Sequence, residues 1–185
     1  MKETFEGANE LVILVDKNDN ETGVKDKLSV HQLGLLHRAF SVFLFNSKNE
    51  LILQQRADEK YHSPGLWTNT CCSHPKPGEE TIDACNRRLM EEMGMKCDLQ
   101  FSFNFLYKCK FSNGLTEHEF DHVYVGITDD LPVLNQAEVK DWRYIKLPEL
   151  EQEIESEPEK FTEWLKICFP KLVQQTQFYQ TNYDI

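Results

Sequence analysis

The chain has 185 residues, 40% of them hydrophobic, and a formal net charge of -11 at pH 7. This length is enough for one domain with a sizeable core, and the acidic balance argues against nucleic acid as the main partner, because phosphate binding needs a basic face. No apolar run approaches the roughly 20 residues of a membrane span, so membrane insertion is not expected.

The cysteine usage and the first residues indicate the compartment. The chain has six cysteines and no Cys-x-x-Cys pair, which favours a reducing compartment over a disulfide framework or a zinc knot. Residues 1–10 are polar and acidic, unlike a secretory signal or a transit peptide. We therefore expect a cytoplasmic protein, and a monomer, since no long apolar surface helix calls for a partner.

The first part of the chain predicts short strands separated by polar turns. Leu11 to Val15 is an apolar strand, and the polar residues at 18–20 form a turn. Residues 28–36 fit a helix or a loop, and the pattern does not decide between them. Residues 40–45 are apolar at nearly every position, as in a strand buried on both faces, and a second strand follows at 51–55.

The clearest helix covers residues 81–93. Its apolar residues Ile82, Cys85, Leu89 and Met93 fall on one face, and Gly94 follows where a glycine cap belongs.

The second half predicts a long hairpin and a helical end. Residues 99–107 alternate as a strand, Asn113-Gly114 is a hairpin turn, and the returning strand runs to Ile127. A last strand is expected at 142–145, followed by acidic helices from Leu147 that Pro158 and Pro170 interrupt, and by a frayed polar end at 174–185. The pattern predicts an α+β fold, with a mixed, mostly antiparallel sheet flanked by helices. It predicts one domain over 1–185, with a catalytic core at about 11–164 and a helical tail at about 165–185.

One extended segment combines a thiol and an imidazole. Cys72 and His74 are two residues apart, so on a strand they project to the same face. A catalytic cysteine is one interpretation. The other is that Cys71 and Cys72 are small buried hydrophobic side chains, as free cysteines usually are, and the segment alone does not decide.

Acidic residues alternate on the returning strand of the hairpin. Glu117 and Glu119 share a face there, and with His31, His37 and His74 they form a nitrogen and oxygen donor set that suits a divalent transition metal. A solvent-exposed acidic face, with structural histidines elsewhere, explains the same residues.

The helix at 81–93 and its flanks are similar to the Nudix signature. Signature positions are occupied by Glu79, Arg87, Glu91, Glu92 and Gly94, while Ser73 replaces the first glycine and Arg88 replaces a glutamate. In that family the helix carboxylates hold magnesium against a diphosphate. Arg87–Glu91 and Arg88–Glu92 are also the spacing of ordinary surface ion pairs.

Three segments closely resemble the type I isopentenyl-diphosphate isomerases, a branch of the Nudix superfamily. They are His37 to Asn46, Leu53 to Arg56, and Pro64 to Pro75, which contains Trp-Thr-Asn-Thr-Cys-Cys-Ser-His-Pro. The resemblance extends from about Leu11 to Trp164 and accounts for the altered Nudix positions. It implies the interconversion of isopentenyl diphosphate and dimethylallyl diphosphate, with a small isoprenoid diphosphate as the partner.

The resemblance also implies roles for individual residues. Cys72 and Glu119 would lie on opposite sides of the allylic unit, and Tyr107 would hydrogen-bond Glu119. The implied zinc or manganese ligands are His31, His37, His74, Glu117 and Glu119. Magnesium would be held by Glu92 and the Cys72 backbone carbonyl. The implied substrate contacts are Lys27, Arg56, Lys60, Arg88, Trp67 and Trp164.

Two alternatives share these features. A Nudix-type diphosphate hydrolase would use the same helix and magnesium, but Arg88 stands where it needs a glutamate. A non-catalytic protein that binds an isoprenoid diphosphate would keep the site without turnover.

Overall fold

The computed structural model describes residues 10–60 and 62–183, with side chains to residue 176. Residues 1–9, where neither a signal nor a transit peptide is expected, lie outside the described residues. The strands are β1 (Leu11–Val15), β2 (Glu21–Asp26), β3 (His37–Phe45), β4 (Glu50–Arg56), β5 (Trp67–Thr68), β6 (Cys71–Ser73), β7 (Gln100–Lys110), β8 (Thr116–Ile127) and β9 (Val139–Lys146). The helices are α1 (Lys27–Leu33), α2 (Thr81–Met93), α3 (Leu147–Ser156), a 3-10 turn (Pro158–Lys160) and α4 (Glu163–Tyr183).

Strand β3 is the centre of one mixed sheet. Along one edge it pairs in parallel with β8, from His37 opposite Glu119 to Phe45 opposite Ile127. Along its other edge it pairs in turn with β1, β6 and β4, all antiparallel. The parallel register therefore places the first residue of β3 beside the acidic face of β8.

Helices cover both faces of the sheet, as the two-sided burial of β3 predicts. Phe43 and Phe45 pack with buried residues of α3 and α4, while Val42 and Leu44 pack with α2. The sequence prediction of α2 is confirmed at both ends, and Gly94 closes the helix with a φ of 63°, in the left-handed region. The expected α+β fold, a mixed sheet flanked by helices, is confirmed.

The structure settles one open segment and adds one strand. The region left as helix or loop is helix α1, which begins where the Asp26 carboxylate accepts a hydrogen bond from Ser29 N at 2.9 Å. Strand β2 was not predicted, because its sequence is mostly polar. It pairs with β1 at the edge of the sheet, where one polar face can meet water.

The prediction that Pro170 interrupts the C-terminal helix is wrong. Helix α4 continues through Pro170 to Tyr183, although an interior proline costs about 3 kcal/mol. Leu165, Phe169 and Leu172 are buried on either side of it, and this packing offsets the lost hydrogen bond. Of the end expected to be frayed, residues 174–183 continue helix α4, and residues 184–185 lie outside the described residues. None of the helices in the described ranges combines the length and the apolar character that crossing a membrane requires.

Gly94 should be far less tolerant of alanine than Gly78. Both have positive φ, 63° and 78°, so alanine costs each about 1 kcal/mol in backbone strain. An added Cβ at Gly94 would also lie 2.6 Å from the carbonyl oxygen of Val133, whereas nothing lies within 4 Å at Gly78. We expect Gly94→Ala to lower the free energy of unfolding by about 3 kcal/mol and Gly78→Ala by about 1 kcal/mol, measured by urea denaturation. Equal losses would mean that the Val133 segment moves away without cost.

Candidate active site and metal centre

Most of the residues singled out in the sequence surround one cavity of about 60 Å³. Its lining includes Lys27, Arg56, Lys60, Cys72, His74, Arg88, Glu92, Tyr107, Glu117, Glu119 and Trp164. A larger cavity, of about 340 Å³, lies beside Leu147 and Ile127 and carries a single acidic side chain, Asp98. The titratable groups are therefore concentrated in the smaller cavity, where the catalytic chemistry is to be sought.

Five buried side chains converge beside this cavity, from α1, β3, β8 and the loop that follows β6. Their donor atoms all lie within 4.8 Å of one another; the residues are His31, His37, His74, Glu117 and Glu119. His31 Nε2 is 3.0 Å from Glu117 Oε2, and His74 Nε2 is 3.1 Å from Glu119 Oε1. The interpretation of the glutamates as an exposed acidic face is wrong, because alternate residues of β8 point inward and are buried.

The protonation states of His31 and His74 suit metal ligation. Burial lowers the pKa of His31 and of His74 to about 3, so both rings are neutral. Burial also disfavours a charged His37 ring, but the contact with Glu119 outweighs it and raises its pKa. His37 Nδ1 donates to the Leu35 carbonyl at 2.9 Å, which turns Nε2 toward the cluster.

The pKa values of the two glutamates in the cluster shift in opposite directions. Burial, with the charge of Glu119, raises the pKa of Glu117 well above its usual range. Burial opposes ionisation of Glu119 too, but hydrogen bonds from His37 and His74 hold its pKa well below the usual range. A divalent cation would relieve the repulsion between the carboxylates, and three imidazoles with two carboxylates fit such an ion.

Each of the two interpretations of the thiol segment holds for one of its cysteines, Cys71 or Cys72. Cys71 is fully buried in the apolar cluster under α2, as a structural cysteine. Cys72 lines the cavity together with His74, as their two-residue spacing predicts. Burial raises the pKa of Cys72 to about 12, so this group is a thiol at neutral pH.

Tyr107 and Glu119 form the expected hydrogen bond. The Tyr107 hydroxyl donates to Glu119 Oε2 at 2.7 Å, across the register of the β7–β8 hairpin. With His74 on Oε1, both oxygens of Glu119 are held, so its carboxylate has a fixed orientation.

Four basic side chains, together called the basic wall, line the same cavity: Lys27, Arg56, Lys60 and Arg88. Arg88 contacts Glu92 and also Glu91 at 2.8 Å, and Lys60 contacts Glu138. Both predicted helix pairs form, but the shortest contact of Arg87 is with Glu79, at 2.7 Å.

Two of these groups stand out by their burial. Burial lowers the pKa of Lys60 to about 8. Glu92 is buried and accepts a hydrogen bond from Gln54 Nε2 at 2.9 Å, which fixes its carboxylate at the cavity wall.

The two tryptophans have different positions. Trp164 lines the cavity, and its Nε1 donates to Asn69 Oδ1 at 3.2 Å. Trp67, which the resemblance groups with the substrate contacts, lies outside this cavity, with the guanidinium of Arg143 4.7 Å from its ring centre. Membership in a motif does not fix which way a strand residue points, and Trp67 packs against the core on the α4 side.

Several groups at the site were not predicted from the sequence. His62 is buried with its Nε2 3.4 Å from Glu117 Oε1, and Asp121 accepts a hydrogen bond from Ser41 at 2.8 Å. Asp121 could have been found, since it continues the inward alternation of Glu117 and Glu119. His62 lies in an irregular loop, where no periodic pattern marks the direction of a side chain.

Comparison with known proteins agrees with the fold and the site. The NUDIX domain profile matches residues 35–165. A solved structure from Deinococcus radiodurans, DR0079, superposes with a TM-score of 0.74 at 18% identity, covering 88% of this chain and 98% of that one. The profile match defines a Nudix-domain protein, and the superposition agrees with its fold.

Curated relatives are closer in sequence. Isopentenyl-diphosphate Delta-isomerase 2 of Aromatoleum aromaticum is 52% identical over 162 residues, covering 88% of this chain and 86% of the relative. Isopentenyl-diphosphate Delta-isomerase of Pectobacterium atrosepticum is 50% identical, covering 92% and 96%. The chain belongs to the isopentenyl-diphosphate Delta-isomerase family.

The histidine and glutamate cluster should bind one divalent transition metal ion per chain. We expect His37→Ala to weaken that binding by about 100-fold, because it removes a donor from the cluster. His122→Ala is the matched control, since the His122 ring contacts Asp19 rather than the cluster. Competition with a chromogenic chelator measures both.

The affinity of the same site should rise with pH. The pKa values of His37 and Glu117 are both raised, so these groups bind protons that a metal must displace. Titration calorimetry in buffers of different ionisation enthalpy should detect proton release on metal binding near pH 6. Binding without proton release would contradict the pKa directions given for the two groups.

Proposed function

We propose that this protein is an isomerase of isoprenoid biosynthesis that interconverts isopentenyl diphosphate and dimethylallyl diphosphate. Membership in the isopentenyl-diphosphate Delta-isomerase family supports the reaction. The observation that carries the residue assignment is a single cavity that Cys72, Glu119 and four basic side chains all line.

The reaction adds a proton to one carbon of the alkene and removes one from the carbon attached to the other alkene carbon, so the double bond moves by one position. Two groups are needed, one protonated and one not, and they exchange these states in each turnover. Cys72 begins as a thiol because its pKa is about 12, and Glu119 begins as a carboxylate because its pKa is lowered. The pair therefore holds one transferable proton, and the proton taken from substrate can exchange with water before the next turnover.

Tyr107 and His74 hold the glutamate in place during this exchange. Their contacts with the two oxygens of Glu119, 2.7 and 3.1 Å, prevent rotation of the carboxyl group. The Tyr107 hydroxyl donates a hydrogen bond to the ionised carboxylate of Glu119, which stabilises that form. We assign Tyr107 to proton movement at Glu119.

We assign Trp164, which lines the cavity, to the stabilisation of developing positive charge. The Arg56 guanidinium carbon is 5.3 Å from its ring centre, within the distance at which an aromatic face stabilises a cation. A carbocation-like intermediate would use the same property. Trp67, outside the cavity, is not given this role.

The diphosphate group would bind at the basic wall. Lys27, Arg56, Lys60 and Arg88 line the cavity there; arginines suit paired phosphate oxygens, and lysines supply point charges. These contacts with the diphosphate supply binding energy for a substrate whose small hydrocarbon part makes few other contacts.

Two ions belong to the proposal. Zinc or manganese fits the three imidazoles and two glutamates, and magnesium fits Glu92 with the carbonyl of Cys72, since hard oxygen donors suit it. The first ion would orient Glu119 and stabilise its charge, and the second would neutralise the diphosphate.

Cys72→Ala and Glu119→Gln should each lower turnover by about a thousandfold or more, because each removes one member of the proton-transfer pair. Cys71→Ser is the matched control. It changes the adjacent thiol in the core, so stability falls but most turnover remains. Isopentenyl diphosphate in deuterated water, with magnesium and zinc or manganese, provides the assay, since the product should carry deuterium. Normal turnover in either variant would remove that residue from the mechanism.

Phosphate release from nucleoside diphosphate derivatives, without isomerisation, would favour a hydrolase.

The alkaline limb of kcat/KM should reflect Lys60. Its pKa is about 8, so the side chain is charged below this pH and loses its charge, and its attraction for the diphosphate, above it. We expect kcat/KM to fall above about pH 8 and Lys60→Arg to move that fall to higher pH. Lys140→Arg is the control, because Lys140 pairs with Asp58 on the surface. An unchanged pH profile in Lys60→Arg would mean that another group sets the limb.

A further inference from the structure

His62 approaches the metal centre from the loop between β4 and β5. Its Nε2 lies 3.4 Å from Glu117 Oε1, while His31 Nε2 lies 3.0 Å from the other oxygen, Oε2. The Glu117 carboxylate is therefore contacted by an imidazole on each oxygen, and both rings are buried.

His62 stands outside the group of converging donors. The five atoms within 4.8 Å of one another do not include one from His62. Its polar contact with the cluster is with Glu117, and its ring centre lies 6.0 Å from that of His31. This is the position of a residue that orients a metal ligand rather than of a ligand.

Aromatic contacts fix the direction of the His62 ring. It stacks on Phe111 with 5.8 Å between ring centres and an interplanar angle of 20°, and it meets Trp164 edge-on at 5.8 Å. A ring packed on two sides has little freedom to turn, so Nε2 stays directed at Glu117.

The main chain of His62 joins the same centre to the basic wall. Arg56 Nη2 donates to the His62 carbonyl oxygen at 3.2 Å. The loop between these residues carries Lys60, which lines the cavity. The side chain of His62 thus contacts Glu117, and its backbone contacts Arg56.

We propose that His62 is a positioning residue, which donates its Nε2–H to Glu117 Oε1 and so presents Oε2 of that carboxylate to the metal. The inference deepens the proposed function and rests on it for its catalytic meaning. The effect of His62 on metal affinity can be measured without substrate.

Two substitutions separate the donor from the ring. His62→Phe keeps an aromatic ring against Phe111 and Trp164 but has no N–H, while His62→Gln restores an amide donor near the place of Nε2. We expect the dissociation constant for zinc, measured by chelator competition, to rise about tenfold in His62→Phe and to stay within about threefold of the parent in His62→Gln. His122→Phe should leave it unchanged. Parental affinity in His62→Phe, or equal weakening in both His62 variants, would overturn the proposal.

A measurement on the unaltered protein does not depend on the folding of variants. Nitrogen-15 spectra of the imidazole rings in the zinc-loaded protein should place the His62 proton on Nε2. A proton on Nδ1 would overturn the proposal. The isomerase assay of the unaltered protein tests the proposed function separately, since loss of that function would leave the zinc affinities and the ring tautomer unaffected.

Discussion

Acidic side chains packed side by side inside the protein are the constraint on which the site depends. Glu117, Glu119 and Asp121 alternate on β8 and are all buried, and buried carboxylates are costly unless they are compensated. The parallel pairing of β3 with β8 brings His37 to Glu119, and the Ser41 hydroxyl donates a hydrogen bond to Asp121. The fold therefore places nitrogen and hydroxyl donors where the carboxylates need them.

This compensation also gives the cavity its chemical asymmetry. The cavity is lined by members of the histidine and glutamate cluster, by four cations and by Cys72, which is an uncharged thiol. Neighbouring imidazoles keep Glu119 ionised at the same depth. Two groups that differ in charge can thus face one small ligand, although both are buried in the same surroundings.

The sequence predicted those elements whose pattern is periodic or whose ends carry a specific residue. Helix α2 was placed from its apolar face and Gly94, and the β7–β8 hairpin from Asn113-Gly114. Local patterns failed where tertiary contacts decide, as at the polar strand β2 and at Pro170, whose helix is stabilised by buried neighbours.

The same division holds for the site. The spacing of Cys72 and His74 predicted their common direction. Residue types suggested the five-residue donor set, but only the family resemblance favoured it over an exposed acidic face. The members of that set converge from separate elements that local spacing does not relate. His62 was missed for that reason, and Trp67 was grouped with the substrate contacts although its side chain turns toward the α4 side of the core.

The pairing of β3 with β8 has a consequence for how the protein is made. The paired residues, from His37 with Glu119 to Phe45 with Ile127, are separated by about 80 residues of chain, and contacts so distant in sequence form slowly. During synthesis, β3 leaves the ribosome long before β8 exists, so the edge of β3 that pairs with β8 stays unpaired until the hairpin is made. The metal cluster, which draws on the same pairing, can form only after the hairpin has docked. Metal uptake would then report the last stage of folding, and a metal ion that binds the finished site would also hold the two distant parts of the chain together.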